Sequence, residues 1–379
     1  MKIVTVSIIL NIHQAYMADA LYEVTGGQYW FVETGEKELL GDRKGGDSDF
    51  AKRPYLIQAS KSMSSFKKTM RVIREADVVV YGATPLKYLR ERVRTGKITF
   101  INSERWLKKG LLNLLSPNLI KQQLFYYTHC YNKPVYALCS SAYASHDYQL
   151  MHSFKGRCYK WGYFTQTRNY DIEAVQVEKR SATTVRILWV ARFIGWKHPE
   201  KMLELAMKLH ERGINFIIDM IGVGEMFHCI QTQIEAMGLS EHVFLHGFVP
   251  NGKVLDLMKN HHIFCLTSDK NEGWGAVLNE AMSSGCCPVS SIAAGATPYL
   301  VEDGVNGFSF DLKKRDDLLE KVLWLIEHPE ERERMSIEAY KTMHEVWCPK
   351  NAAEQFYKLC DSILSGNVCD IADGPCSKA

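Results

Sequence analysis

Short apolar runs alternate with amphipathic stretches along nearly the whole of this 379-residue chain. No other feature restricts the fold as much. Strand, helix and strand in succession return the chain to the same end of a sheet, so the sheet must be parallel. In the first half Ile3–Leu10, Tyr29–Glu33, Asp77–Tyr81, Ile98–Ile101 and Pro134–Cys139 read as strands. Met17–Val24, Ser62–Glu75, Pro85–Arg94, Trp106–Tyr127 and Ala142–Phe154 read as the helices among them. The pattern fades over Gly162–Ala182, where polar residues dominate, and that stretch reads as a linker. Alternation resumes at strand Val185–Val190 and runs to a last helix, Asn351–Leu364, after a break at Cys348–Pro349.

The expected fold class is therefore α/β, with two doubly wound, Rossmann-like domains in tandem. The boundaries read as 1–180 and 181–346, with a final helix and polar tail in 347–379. Ligands of such sheets bind beyond the carboxyl ends of the strands, so the expected site lies in the cleft between domains. The apolar start, IVTVSIIL, is too short to span a bilayer and reads as a buried first strand.

Charge separates the halves. The formal sum is only +3, which speaks against the extreme positive field of an obvious nucleic-acid binder, and no nucleic-acid partner is expected. Residues 1–180 nevertheless hold 27 basic and 16 acidic side chains, and the remainder 19 and 27. Such asymmetry points to a charged or membrane partner for the first half. Eleven cysteines, an odd number without any CxxC pair, suit a reducing, cytoplasmic compartment.

Three segments carry candidate chemistry. In Glu272-Gly273-Trp274-Gly275-Ala276-Val277, after the apolar run IFCLTS, glycines admit a ligand close to the backbone. A helix beginning near Ala276 would turn its free N–H groups toward an anion. Glu272 and, one turn into that helix, Glu280 would accept hydrogen bonds from sugar or ribose hydroxyls. Arg192 and Lys197 follow strand Val185–Val190 on the same sheet edge, where both could bind phosphate. Gly222 and Gly224 end the next strand and lack the third glycine of a nicotinamide fingerprint. The segment His246-Gly247-Phe248 could wall a base pocket.

These residues, above all Glu272 and Glu280 with the following EAMSSG, resemble the retaining glycosyltransferases of family 4 over about Val185–Phe310. The resemblance implies the GT-B fold and a nucleotide-diphosphate-sugar donor. It further implies that Arg192 and Lys197 bind the diphosphate, Glu280 the ribose and Glu272 the donor sugar. The last helix would cross back onto the first domain. No metal is expected, since fixed cations and a helix N-terminus can take up the leaving-group charge. The string Asp47-Ser48-Asp49 lies in a glycine-rich charged stretch and reads as a loop, not a metal site.

The first domain departs from the family. Where relatives carry a histidine after a central strand, Lys97–Arg105 has none, and Glu104 or Arg105 takes its place. His13, in a loop after strand one, is a second candidate for contact with acceptor or donor phosphate. Lys87, Arg90, Arg92, Arg94, Lys97, Arg105, Lys108 and Lys109 form a basic cluster ahead of WLKKGLLNLLSPNLIKQQLFYY. That sequence suits a helix lying in an anionic membrane surface, and the expected location is the cytoplasm, peripheral on the inner face of the cell membrane. The expected reaction moves a sugar to a glycan or lipid-linked acceptor in surface polysaccharide synthesis. A nucleotide-sugar epimerase of the same fold and a non-catalytic nucleotide-sugar binder stay open as alternatives.

Overall fold

The computed structural model describes residues 1–35, 52–108 and 110–379. Asp47-Ser48-Asp49 and Lys109 lie outside the described residues. The chain divides into two units, Met1–Gln166 with Trp347–Ala379, and Thr167–Val346.

Unit 1 is built on seven strands, β1 (Ile3–Ser7), β2 (Tyr29–Glu33), β3 (Leu56–Gln58), β4 (Val78–Tyr81), β5 (Thr99–Ser103), β6 (Val135–Cys139) and β7 (Cys158–Lys160). They run parallel in the order β3-β2-β1-β4-β5-β6-β7. Val4 of β1 pairs with Trp30 on one side and Val79 on the other, and the order reverses between β1 and β4. Ile3, Val4, Val6, Val78 and Val79 are fully buried, as continuous apolar strands in a two-sided parallel sheet should be. Helix Pro349–Ser365 belongs to this unit and packs its Phe356 ring 5.1 Å from that of Phe100. The tail then adds an antiparallel bridge at the β7 edge, Tyr159 to Lys378, with Lys160 N–H donating to the Ser377 carbonyl at 2.8 Å.

Unit 2 has six parallel strands, β8 (Val185–Val190), β9 (Phe216–Ile221), β10 (Val243–Leu245), β11 (Ile263–Leu266), β12 (Cys287–Ser291) and β13 (Phe308–Phe310). Their order is β10-β9-β8-β11-β12-β13, and it reverses between β8 and β11. Trp189, Phe193, Ile218 and Met220 are buried in its core.

Five expectations need correction. The boundary falls at Gln166–Thr167, not after residue 180. Residues read as linker form helix Ile172–Arg180, capped by the Asp171 carboxylate and packed in unit 2. Its buried face joins Val175 to two polar residues: Gln176 Nε2 and Lys179 Nζ both donate to the Gly285 carbonyl, at 2.9 and 2.7 Å. Burial pulls the Lys179 ammonium down to about 8.

His13 is not in a loop. Asn11 caps helix Ile12–Val24, accepting from Gln14 N–H through its side chain, and His13 lies in the first turn. The stretch 106–127 is not one helix either. A 3₁₀ segment, Gly110–Leu115, gives way to helix Pro117–Phe125, restarted by proline at its first position, and then a π-turn, Tyr126–Cys130. Arg92 leaves the surface cluster altogether: it is fully buried and donates to the carbonyls of Ile73, Ala76, Asp77 and Ile98. Desolvation brings its guanidinium down to about 10.

With the revised boundary, unit 1 holds 27 basic and 17 acidic side chains, and unit 2 holds 19 and 26. The charge asymmetry thus follows the structural division. All eleven cysteines are free thiols. Among the described residues no helix is long and apolar enough to cross a membrane.

Candidate functional site

The predicted cations and carboxylates of unit 2 gather beyond the carboxyl ends of β8 and β11, the strands at which the order reverses. That is where an open parallel sheet leaves a crevice for a ligand. Arg192 is exposed, two residues past β8. Lys197 is buried in the 3₁₀ turn Gly195–Lys197. Trp196 separates them, its ring centroid 5.8 Å from the Arg192 guanidinium carbon and 4.5 Å from Lys197 Nζ. The turn is fastened to both strands. Trp189 Nε1 donates to Thr267 Oγ1 at 2.8 Å, and that hydroxyl donates to the Lys197 carbonyl at 2.7 Å.

Lys197 Nζ forms an ion pair with Glu272 Oε2, and both side chains are about nine-tenths buried. Ser268 Oγ donates to the same carboxylate oxygen at 3.0 Å. Glu272 is therefore held from two sides. Behind it, Gly275 takes φ +101°, where a Cβ would sit 3.4 Å from Glu272 Cγ and 3.3 Å from Leu266 Cδ2. This left-handed residue turns the chain sharply into helix Ala276–Ser283. The first-turn N–H groups, those of Ala276 and Val277 among them, have no intrahelical acceptor.

Glu280 lies on this helix, buried, with Asn251 Nδ2 at 3.5 Å from its Oε1. Burial raises its carboxyl to about 7, against a lowering contribution from Asn251. It is thus a carboxyl that changes charge near neutral pH.

The other predicted residues have the following surroundings. A Cβ on Gly222, at φ +140°, would fall 1.9 Å from the Ala191 carbonyl oxygen, and one on Gly224 2.3 Å from that of Phe193. Both glycines let the β9 loop lie against the backbone that carries Arg192. Phe193 N–H donates to Val223 O at 3.0 Å across this contact. Trp274 is 0% exposed and donates from Nε1 to Asn279 Oδ1 at 2.8 Å, so its side chain belongs to the core. Gly273 is buried beside it. His246 Nε2 engages Asp219 at 2.6 Å, as does His261 at 2.7 Å and Arg186 at 2.8 Å. Burial would raise the Asp219 carboxyl, yet these hydrogen bonds hold it well below the usual carboxylate range. Phe248, 77% exposed, is left free of that network.

In unit 1 the two remaining candidates line one cavity of about 760 Å³ beyond the ends of β1, β4, β5 and β6. Glu104 accepts from Tyr163 Oη at 2.6 Å and Lys108 Nζ at 2.5 Å. His13 stacks on the same tyrosine, ring centroids 6.1 Å apart, and burial lowers its imidazole below the ordinary value. Arg105, the alternative to Glu104, is committed to the buried Asp147 at 3.1 Å. The cavity is polar at Ser7, Asn11, Asn102 and Ser140 and apolar at Leu86, Leu89, Phe125 and Phe154.

Ser268, Thr267, Asn251 and Tyr163 were not anticipated. Thr267 and Ser268 directly follow β11, so the position beyond a buried strand was a usable signal. Asn251 and Tyr163 carry no local signal, since each acts on a carboxylate far along the chain.

Residues 172–342 match the family model described as glycosyl transferases group 1. The chain is 31% identical over 135 residues to the putative colanic acid biosynthesis glycosyltransferase WcaL of Escherichia coli, a stretch covering 34% of this chain and 33% of WcaL. It is 28% identical over 124 residues to the poly(glycerol-phosphate) alpha-glucosyltransferase of Bacillus subtilis, covering 33% of this chain and 18% of that protein. The matched stretch thus spans a third or less of these curated relatives. Among solved structures, Anabaena HepE in complex with UDP superposes with a TM-score of 0.68 at 16% identity, over 96% of this chain and 100% of that one. The fold is that of the GT-B glycosyltransferases.

Proposed function

We propose that this chain is a glycosyltransferase of the retaining type, moving a sugar from a nucleotide-diphosphate donor to a glycan or lipid-linked acceptor in polysaccharide synthesis. The observation that carries the reading is the Lys197–Glu272 pair, set beside the start of helix Ala276–Ser283 in the stretch that matches the family model. Relatives named for colanic acid and poly(glycerol-phosphate) glycosylation, and a neighbour of the same fold holding UDP, support it.

Cleavage of a glycosyl–phosphate bond leaves charge on the diphosphate. Arg192, Lys197 and the N–H groups of Ala276 and Val277 are a set of donors suited to that charge. The reading is therefore metal-independent. Lys197 exchanges part of its interaction with Glu272 for the diphosphate, and Glu272 turns its free acceptor capacity to a donor-sugar hydroxyl. Glu280, when ionised, accepts from the ribose hydroxyls, and Phe248 is free to stack on the base. Glu104 and His13 are assigned to the acceptor.

The test is incubation with a panel of nucleotide sugars, with and without glycan acceptors. Release of nucleoside diphosphate that rises with acceptor supports transfer. Binding without release would favour a non-catalytic binder, and a changed sugar still joined to nucleotide would favour an epimerase.

A further inference from the structure

Among the described residues of unit 1, the exposed large apolar side chains concentrate in one segment. Eight of the twenty exposed large apolar side chains among the described residues lie between Leu111 and Tyr131. Leu112 and Leu115 are 77% and 75% exposed, with Leu111, Ile120, Leu124 and Tyr127 beside them in sequence. An apolar concentration of this kind marks a contact surface rather than ordinary scatter. Its other side is anchored: Leu119, Phe125 and Tyr126 are buried, and Gln122, Phe125, Tyr126 and Cys130 wall the 760 Å³ cavity.

The charge around it selects an occupant. From Arg105 to His146 the sequence has no Asp or Glu, while Lys121 and Lys133 are exposed. The first acid beyond, Asp147, is buried against Arg105. The Arg90 guanidinium reaches over the Phe125 ring at 5.9 Å. Leucines with lysines and no carboxylates suit a surface that is apolar inside and anionic outside.

We propose that the face formed by Gly110–Tyr131 docks on an anionic lipid bilayer, so that the cavity behind it meets an acceptor carried in that bilayer. The docking itself stands on the exposed face; only the word acceptor rests on the glycosyltransferase reading. A 3₁₀ segment, a short helix and a π-turn replace the single interfacial helix expected from sequence, and their exposed leucines enter the headgroup boundary while the lysines stay at the phosphates.

The test uses the full chain in co-sedimentation with phosphatidylcholine vesicles, with and without roughly 30% phosphatidylglycerol. Binding is expected only to the anionic vesicles, weakened by salt. It should fall at least about tenfold in Leu112→Ser/Leu115→Ser and, less, in Lys121→Glu. The leucines are exposed, so circular dichroism and the thermal midpoint should not change. Absence of binding, or binding indifferent to these variants, overturns the proposal. So does a solution dimer that the leucine variant dissolves, because a second copy would then own the face. The midpoint shift on adding nucleoside diphosphate separates the two claims: it reports the donor site and should be the same in all variants.

Discussion

Lys197 and Glu272, 75 residues apart in sequence, form a buried ion pair beyond the carboxyl ends of β8 and β11. Removing one partner leaves the other charge buried without compensation, which costs about 3–5 kcal/mol in comparable pairs. Lys197→Ala and Glu272→Ala should each lower stability substantially. The double substitution should cost less than the sum of the two, with a coupling of about 1–3 kcal/mol measured by urea unfolding. Additive losses would mean that the pair does not act as one. Turnover should fall about 100-fold or more in either single variant.

Glu280 supplies a pH dependence of known sign. Its carboxyl stands at about 7 in the folded chain against an ordinary 4.5. Between those values the folded state holds a proton that the unfolded state has released, so stability falls as pH rises through that window. Glu280→Gln removes the loss. The variant should be more stable than the parent above pH 7 by about 3 kcal/mol, seen in thermal melts across pH, yet bind nucleoside diphosphate more weakly. Parallel pH profiles for the two proteins would contradict the assignment.

These groups were partly legible in the sequence. VVVY and IFCL are unbroken apolar runs, and IVTVS is nearly so, because both faces of their sheets are covered, and such runs announce themselves. Strands of three residues, such as Leu56–Gln58 and Phe308–Phe310, are too short for a period to register. Helix Ile172–Arg180 hides because Gln176 and Lys179 bury their polar ends on one carbonyl. At the site, Arg192, Lys197, Glu272 and Glu280 could be placed by their position after strands. Trp274 could not: glycine-rich surroundings suggested ligand contact, and only packing shows that its indole is in the core.

Gly222 offers a test of the loop that presents Arg192. Gly222→Ala would put a methyl group 1.9 Å from a backbone oxygen at a φ that favours glycine. The backbone must move, and a loss of about 3 kcal/mol or more is expected in chemical denaturation. A neutral substitution would show that the β9 loop is not pinned.

In unit 1, Glu104→Gln keeps the size of the side chain but gives up its charge. Acceptor-dependent turnover should fall about 10- to 100-fold, whereas the midpoint shift caused by nucleoside diphosphate should be unchanged. Tyr163→Phe, which removes the hydroxyl that donates to Glu104 at 2.6 Å, should show a smaller loss of the same kind. An equal loss of nucleotide binding would move Glu104 out of the acceptor role.

The most direct test of the central claim is thermal unfolding of the full chain titrated with UDP, GDP and ADP. At least one should raise the midpoint saturably, corresponding to about 2.7 kcal/mol at one hundred times its dissociation constant. Lys197→Ala should lose most of that shift. If none of the three raises the midpoint at millimolar concentration, or the shift survives in Lys197→Ala, the donor site is not where this account places it.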